Sequence, residues 1–190
     1  GPTYRGRVDG LPTEYRRLLE GGRVRIGGRD WRVIVGYGHS PEHASLYCAE
    51  LAVLISGDML LPRISTNVSV MSSNPDGDPI RLFLDSISRY EALPEDTLVL
   101  PSHGRPFRGI HARVAQLEAH HRERFDALVA ACDVPKSACA LIPTLFRREL
   151  DAHQTMFAMG ESIAHLNYLE HAGRVRRSRD AGGVFRFVAN

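Results

Sequence analysis

The sequence predicts a mixed α/β fold of the α+β kind, with helices on one side of a single sheet. The first observation behind this prediction is a set of short apolar runs bounded by turn residues, which is typical of strands; these runs are 31–35, 46–48, 53–55 and 97–100. The second is a pair of longer segments, 80–93 and 110–131, whose apolar residues recur at helical spacing. A chain of 190 residues with 43% hydrophobic content is long enough to bury one substantial core.

The elements that open the chain are a predicted short helix and a predicted hairpin. Residues 13–20 read as a helix because Pro12 precedes them and two glycines follow them. The alternating runs 23–26 and 31–35 are separated by Gly-Gly-Arg-Asp at 27–30, which predicts a hairpin turn.

Apolar stripes define the two predicted helices of the central region. The stripe of segment 80–93 consists of Leu82, Phe83, Ile87 and Tyr90. The stripe of segment 110–131 consists of Val114, Leu117, His121, Phe125 and Leu128. Because His121 lies within an apolar stripe, it is expected to be a hydrogen-bonded core residue and not a ligand. The polar, turn-rich stretch 62–79 between strand and helix is either a substrate-facing loop or an ordinary surface connection.

Three of the predicted strands lead into residues that commonly bind metal ions. The run 31–35 is followed by a glycine-containing loop with His39, the run 53–55 by Asp58, and the run 97–100 by His103. Ligands at the ends of strands can share one edge of a sheet, and imidazole and carboxylate are good ligands for zinc and similar ions. His43 is a second candidate in the first loop, but nearby glycine and proline argue against the helical spacing it would need, which favours a supporting role.

These residues lie in three motifs that, in this order, resemble the third, fourth and fifth metal-binding motifs of the metallo-β-lactamase-fold hydrolases. The motifs are Gly38-His39-Ser40-Pro41, Ser56-Gly57-Asp58 and Pro101-Ser102-His103-Gly104. The resemblance covers about residues 22–130 and implies part of an αβ/βα sandwich. It also implies that His39 binds one metal, that Asp58 bridges two metals and that His103 binds the second, with zinc as the expected ion. Such a metal pair activates water for attack on a small-molecule ester, thioester, amide or phosphodiester, so no protein nucleophile is assigned.

One motif of that family is absent from the sequence. Its H-x-H-x-D-H run would precede the three motifs, yet no histidine occurs before His39. The chain is therefore expected to be the C-terminal portion of such a hydrolase, with low zinc occupancy and little activity by itself. A naturally ligand-poor relative, or a catalytically dead scaffold, is the alternative. The sheet is expected to leave an apolar face that a second copy, or the other half of the fold, would cover.

A second domain is predicted for residues 133–190, after a first domain at 1–132. A short helix at about 137–146 precedes a longer helix that begins after Asp151 and ends before Gly173. An Asp-Ala-Gly-Gly turn then joins two alternating runs, which predicts a β-hairpin. Helices followed by a hairpin resemble a winged helix, and some hydrolases of this family carry a winged-helix-like C-terminal domain.

A nucleic-acid-binding function is the second hypothesis, since the hairpin is basic. The arginines that would contact phosphate are Arg174, Arg176, Arg177 and Arg179. The preceding helix, however, carries Glu161 and Glu170 and has no basic face to offer a groove. Nucleic-acid binding is therefore not favoured.

The overall composition favours no charged or membrane partner. Lys and Arg total 24 against 22 Asp and Glu, and no apolar run is long enough to span a bilayer. The three cysteines are odd in number and widely spaced, which favours reduced thiols and a cytoplasmic location.

Overall fold

The structure, a computed structural model, describes residues 9–10 and 12–190. Its main element is a five-stranded sheet in the order of the chain: β1 (Arg23–Ile26), β2 (Arg29–Gly36), β3 (His43–Cys48), β4 (Val53–Gly57) and β5 (Leu98–Pro101). The first four strands are antiparallel neighbours, and β5 pairs with β4 in parallel. The predicted hairpin is confirmed: its turn is Gly27-Gly28, whose φ angles of 58° and 80° favour glycine.

The helices follow the sheet and precede a second hairpin. They are α1 (Pro79–Ser88), which continues into a 3₁₀ turn (Arg89–Ala92), then α2 (Ile110–Ala131), α3 (Ala138–Leu145) and α4 (Ala152–His171). Strands β6 (Val175–Arg179) and β7 (Phe185–Ala189) form a two-stranded antiparallel sheet. The predicted order of two helices and a hairpin after residue 136 is confirmed, and the cap at Asp151 is a full capping box with Gln154. No helix within the described residues is both long and apolar enough to cross a membrane.

One buried cluster joins the sheet to all four helices. Leu54 of β4 and Phe83 of α1 belong to the same cluster as Leu117 of α2, and so do Leu141 of α3 and Leu166 of α4. The cluster therefore runs across the predicted domain boundary near residue 132. The mixed α/β class is confirmed, whereas the division into two domains stays a prediction.

The helix predicted for residues 13–20 is wrong, because that segment has no helical structure. Two of its apolar side chains remain in solvent: Tyr15 is 76% exposed and Leu19 is 56% exposed. A helix this short is unstable without a buried face. The end of the segment instead binds the sheet through Glu20, which accepts hydrogen bonds from the backbone N–H of Val35 and from Arg89.

The predicted apolar stripe of α1 is wrong at one position. Leu82 is 49% exposed, and Ile80 takes its place in the core beside Phe83 and Ile87. The apolar residues of α4 also recur in the sequence at a spacing that predicts one buried side, formed by Met156, Met159, Ile163, Leu166 and Leu169. This prediction is wrong at Met156, which is 62% exposed. Polar residues occupy much of the buried face of that helix. The positions of its apolar residues therefore do not by themselves identify the buried face.

The face of the sheet opposite the helices carries an apolar row. The row consists of the register partners Val33, Leu46, Ile55 and Leu100, none of which belongs to the main core cluster. Ile55 is 38% exposed. Val33 at one end of the row is 1% exposed, so only part of the row is open to solvent. Apolar surface of this kind is suited to burial by another surface, and coverage by a second copy or by the other half of the fold stays a prediction.

A pair of histidines lies inside the helical layer. The Nδ1–H of His121 donates to Nε2 of His165 at 3.1 Å, and the Nδ1–H of His165 donates to the carbonyl of Glu161 at 2.8 Å. The core role predicted for His121 is confirmed, and it has 1% exposure. Burial, helped by the nearby His165, lowers the pKa of His121 to about 3. Burial likewise lowers the pKa of His165 to about 4.

This pair predicts a loss of stability in mild acid. The unfolded histidines take up protons below about pH 6.5 while the folded pair stays neutral to about pH 4, so the free energy of unfolding falls as the pH drops through that window. We expect a loss of about 2 kcal/mol between pH 6.5 and 5.5, measured by urea unfolding. The double variant His121→Gln/His165→Gln should flatten the profile in this interval, and equal slopes for both proteins would contradict the assignment.

Candidate metal centre

The strand directions bring the three predicted ligands to one edge of the sheet. Because β3 runs antiparallel to both β2 and β4, and β5 is parallel to β4, strands β2, β4 and β5 all point the same way. His39, Asp58 and His103 each follow the end of one of these strands. The Nε2 of His39 lies 3.4 Å from Oδ2 of Asp58, and the Nε2 of His103 lies 3.4 Å from Oδ1. The carboxylate therefore offers one oxygen to each imidazole.

The His39 ring is oriented by the loop that follows β4. Its Nδ1–H donates to the carbonyl of Asn67 at 2.9 Å, which leaves the Nε2 lone pair facing Asp58. A backbone carbonyl behind a ligating imidazole is the usual support in metal sites, since it fixes the tautomer and the ring plane. The sequence does not predict this role of Asn67, because no short-range pattern indicates a carbonyl 28 residues away.

His43 supports Asp58 from behind. The backbone N–H of Asp58 donates to Nε2 of His43 at 3.2 Å. The ring lies against Gly57, whose φ is 53° and where an added Cβ would come within 2.4 Å of the imidazole. Since its Nε2 is engaged by the backbone, His43 fits the supporting role and not that of a ligand.

Hydroxyl groups complete the surroundings of the carboxylate. Ser102 donates to Oδ1 of Asp58, and Thr66 donates to the Asp58 carbonyl. Burial by itself raises the pKa of Asp58, but the Ser102 hydroxyl and the charges of the neighbouring imidazoles outweigh burial and hold that pKa below its usual value. The carboxylate is therefore ionised at neutral pH, as a metal ligand must be.

The donor set fits a pair of ions with Asp58 between them. Two donors at about 2.1 Å from one zinc ion and 3.4 Å apart subtend an angle of about 108°, which is close to tetrahedral. Within residues 9–10 and 12–190, no three His, Cys, Asp or Glu side chains converge as a site for a single ion. Each ion would thus hold one histidine and one carboxylate oxygen from this part of the chain. Catalytic zinc usually has three protein ligands, so two ligands predict weak binding.

Two cavities flank this centre. One of about 270 Å³ lies beside His39 and is lined by the loop of residues 69–79 and the start of α1. The other, of about 670 Å³, lies beside His103 and includes Arg63 and Arg105. The stretch 62–79 contributes walls to both cavities, which favours the substrate-facing alternative over an ordinary surface connection.

Comparison with known proteins identifies the family of the chain. Residues 8–103 match the family model for the metallo-beta-lactamase superfamily, and residues 125–190 match the model for the metallo-beta-lactamase-like C-terminal domain. The chain belongs to the metallo-β-lactamase superfamily.

Three similar proteins illustrate this membership. A beta-lactamase domain protein from Burkholderia ambifaria is 54% identical with a TM-score of 0.92, over 95% of this chain and 54% of that one. A metallo-beta-lactamase family protein from Thermus thermophilus is 33% identical with a TM-score of 0.82, over 94% of this chain and 56% of that one. The probable metallo-hydrolase YqjP of Bacillus subtilis is 28% identical over 153 residues, which is 76% of this chain and 46% of the relative. The chain thus spans about half the length of each.

Removal of the central carboxylate should weaken metal binding. We expect Asp58→Asn to lower zinc affinity at least about tenfold, because the amide cannot bridge two cations as an anion does. Titration against a chromophoric chelator measures the change. His111→Gln is the matched control, since that imidazole pairs with Glu95 outside the centre. Equal zinc affinities for Asp58→Asn and the wild-type chain would contradict the assignment.

Proposed function

We propose that this chain forms the part of a two-metal hydrolase that carries a bridging aspartate and one histidine for each metal. The observation that supports it most directly is the pair of 3.4 Å separations between Asp58 and the two imidazoles, one at each carboxylate oxygen. The Bacillus relative is named a probable metallo-hydrolase. The substrate class we propose is a small-molecule ester, thioester, amide or phosphodiester.

The side chains of the centre would hold the metal ions and keep one another oriented, and none acts as a nucleophile. Bound metals would supply Lewis acidity and a water of lowered pKa. Asp58 stays ionised between the two imidazoles, and Asn67 keeps the Nε2 of His39 turned toward it. The Ser102 hydroxyl donates to Asp58 and so helps to hold the carboxylate in place. His103 is the most open of the three predicted ligands, with 67% side-chain exposure, and would meet the substrate at the mouth of the site.

Activity should depend on ligands beyond those of this chain. We expect the purified chain to hold well under two equivalents of zinc by elemental analysis and to show no zinc-dependent turnover with ester or phosphodiester substrates. In a chimera, this chain replaces the matching 54% of the Burkholderia protein. The chimera should bind zinc and hydrolyse one of these substrates. Asp58→Asn in the chimera should lower kcat/KM at least about 100-fold.

Two outcomes would contradict this account. Two equivalents of zinc with zinc-dependent turnover in the chain alone would show that other side chains complete the site. A chimera that binds no zinc and gives the same rates with and without Asp58→Asn would favour a catalytically dead scaffold.

The alternative function, duplex recognition by the basic hairpin, is weakened by ion pairing. Arg174 pairs with Asp126 at 2.9 Å, and Arg177 pairs with Asp76 and Glu170. Helix α4 is also buried along most of its second half. A recognition helix must instead stand free to enter the major groove. We therefore propose that the hairpin does not bind duplex DNA.

A fluorescence titration with a labelled duplex at two salt concentrations tests this second proposal. The expected result is weak association that disappears at moderate salt. Tight binding, with a steep salt dependence that both Arg174→Ala and Arg177→Ala reduce, would overturn it.

A further inference from the structure

A cavity of about 630 Å³ lies between the loop of residues 70–76, the start of α3, helix α4 and the β6–β7 hairpin. We refer to it as the C-terminal groove. Its apolar wall includes Val70, Met71, Met159, Ile163, Val184 and Phe185. Met71 is 56% exposed, Val184 47% and Phe185 39%. Large apolar side chains are thus concentrated around one concave surface of a size that holds small organic ligands.

Hydrogen bonds across the groove hold its walls together. The side-chain amide of Asn167 donates to the carbonyls of Pro75 and Gly77, each at 2.9 Å. Arg177 of β6 reaches Asp76 in the loop at 2.8 Å and Glu170 of α4 at 3.0 Å. Loop, helix and hairpin are therefore joined by direct contacts, and the groove is formed before any ligand enters it.

The groove also carries a positive charge that forms no ion pair with the described residues. The guanidinium of Arg179 lies 4.4 Å from the centre of the Phe185 ring. Among the residues that the structure describes, no carboxylate lies within 4.0 Å of it. By contrast, the carboxylates of Asp76 and Glu170 offset the charge of Arg177. An arginine placed on an aromatic ring beside an apolar wall is suited to an anion that has an apolar body.

The groove adjoins the metal centre. Val70 and Met71 line both the groove and the cavity beside His39. The same loop supplies Asn67, whose carbonyl orients the His39 ring. A ligand in the groove would therefore extend toward the metal centre along this loop.

We propose that the C-terminal groove binds an amphipathic organic anion, with its apolar body on the wall around Ile163 and its anionic group at Arg179. If the proposed function holds, this ligand is the part of the hydrolase substrate that lies away from the bond to be cleaved; this identification rests on the proposed function. The substrate class is thereby narrowed to compounds that carry both an apolar arm of several carbons and a negative charge.

Binding of a fluorescent fatty acid to the metal-free chain tests the groove. The probe is dansyl-undecanoate, titrated in the presence of EDTA so that hydrolysis has no part in the signal. We expect saturable binding that decanoate displaces, that decan-1-ol displaces less well and that acetate leaves unchanged. Since no metal is present, a failure of the proposed hydrolase function does not affect this measurement.

Matched variants locate the bound probe. Arg179→Gln should weaken binding about tenfold by removing a charge-assisted contact, and Ile163→Ser should weaken it about fivefold by removing apolar wall. Arg176→Gln is the charge control, since Arg176 points to the opposite face of β6 and does not line the groove. Ile55→Ser is the apolar control, since Ile55 lies on the sheet.

A second readout uses the thiol of Cys139, which lines the groove. Cys139 is exposed while Cys48 and Cys132 are buried, so iodoacetamide should modify Cys139 first. Saturating decanoate should slow this modification at least about threefold by covering the groove. The proposal is overturned by an absence of saturable binding, by equal losses for Arg176→Gln and Arg179→Gln, by loss of binding in Ile55→Ser, or by an unchanged rate at Cys139.

Discussion

The candidate centre depends on the common direction of strands β2, β4 and β5. These three strands end on the same side of the sheet, where hydrogen bonds to neighbouring strands hold them in place. Two histidines far apart in the chain thereby come within 3.4 Å of a shared carboxylate. The parallel pairing of β4 and β5 requires a crossover, and that crossover supplies α1 and the loop that lines the cavities.

Support for the candidate centre comes from residues outside its three predicted ligands. His43 receives the backbone N–H of Asp58, and the absence of a side chain at Gly57 makes room for its ring. The loop carbonyl of Asn67 holds His39. The same loop is in turn held by α4, where the Gly160 carbonyl accepts the backbone N–H of Val70 at 3.4 Å. The C-terminal helix therefore belongs to the support of the centre as well as to the wall of the groove.

The sequence was sufficient for the features that depend on local pattern. Alternation and glycine turns identified the β1–β2 and β6–β7 hairpins, and helical spacing identified α2 with its buried His121. The three strand-end motifs identified His39, Asp58 and His103 as one candidate set. Binding of metal by these residues stays a prediction.

Features that depend on tertiary contact could not be predicted from local sequence pattern. The 13–20 segment has the local signals of a helix, yet no surface buries it. His165 lies on α4 among polar residues, and only packing shows that it accepts a hydrogen bond from His121. The bond from Ser102 to Asp58 likewise requires the fold to bring β4 and β5 together. Each of these contacts joins residues that are distant in sequence, so short-range patterns carry no signal for them.

We propose that Asp58 is shared between two metal sites, each with one histidine. Anomalous diffraction from crystals of this chain soaked in zinc tests this sharing. We expect two partially occupied peaks, one between His39 Nε2 and Asp58 Oδ2 and the other between His103 Nε2 and Asp58 Oδ1. A single peak away from Asp58, or one bound by His43 in place of His39, would contradict it.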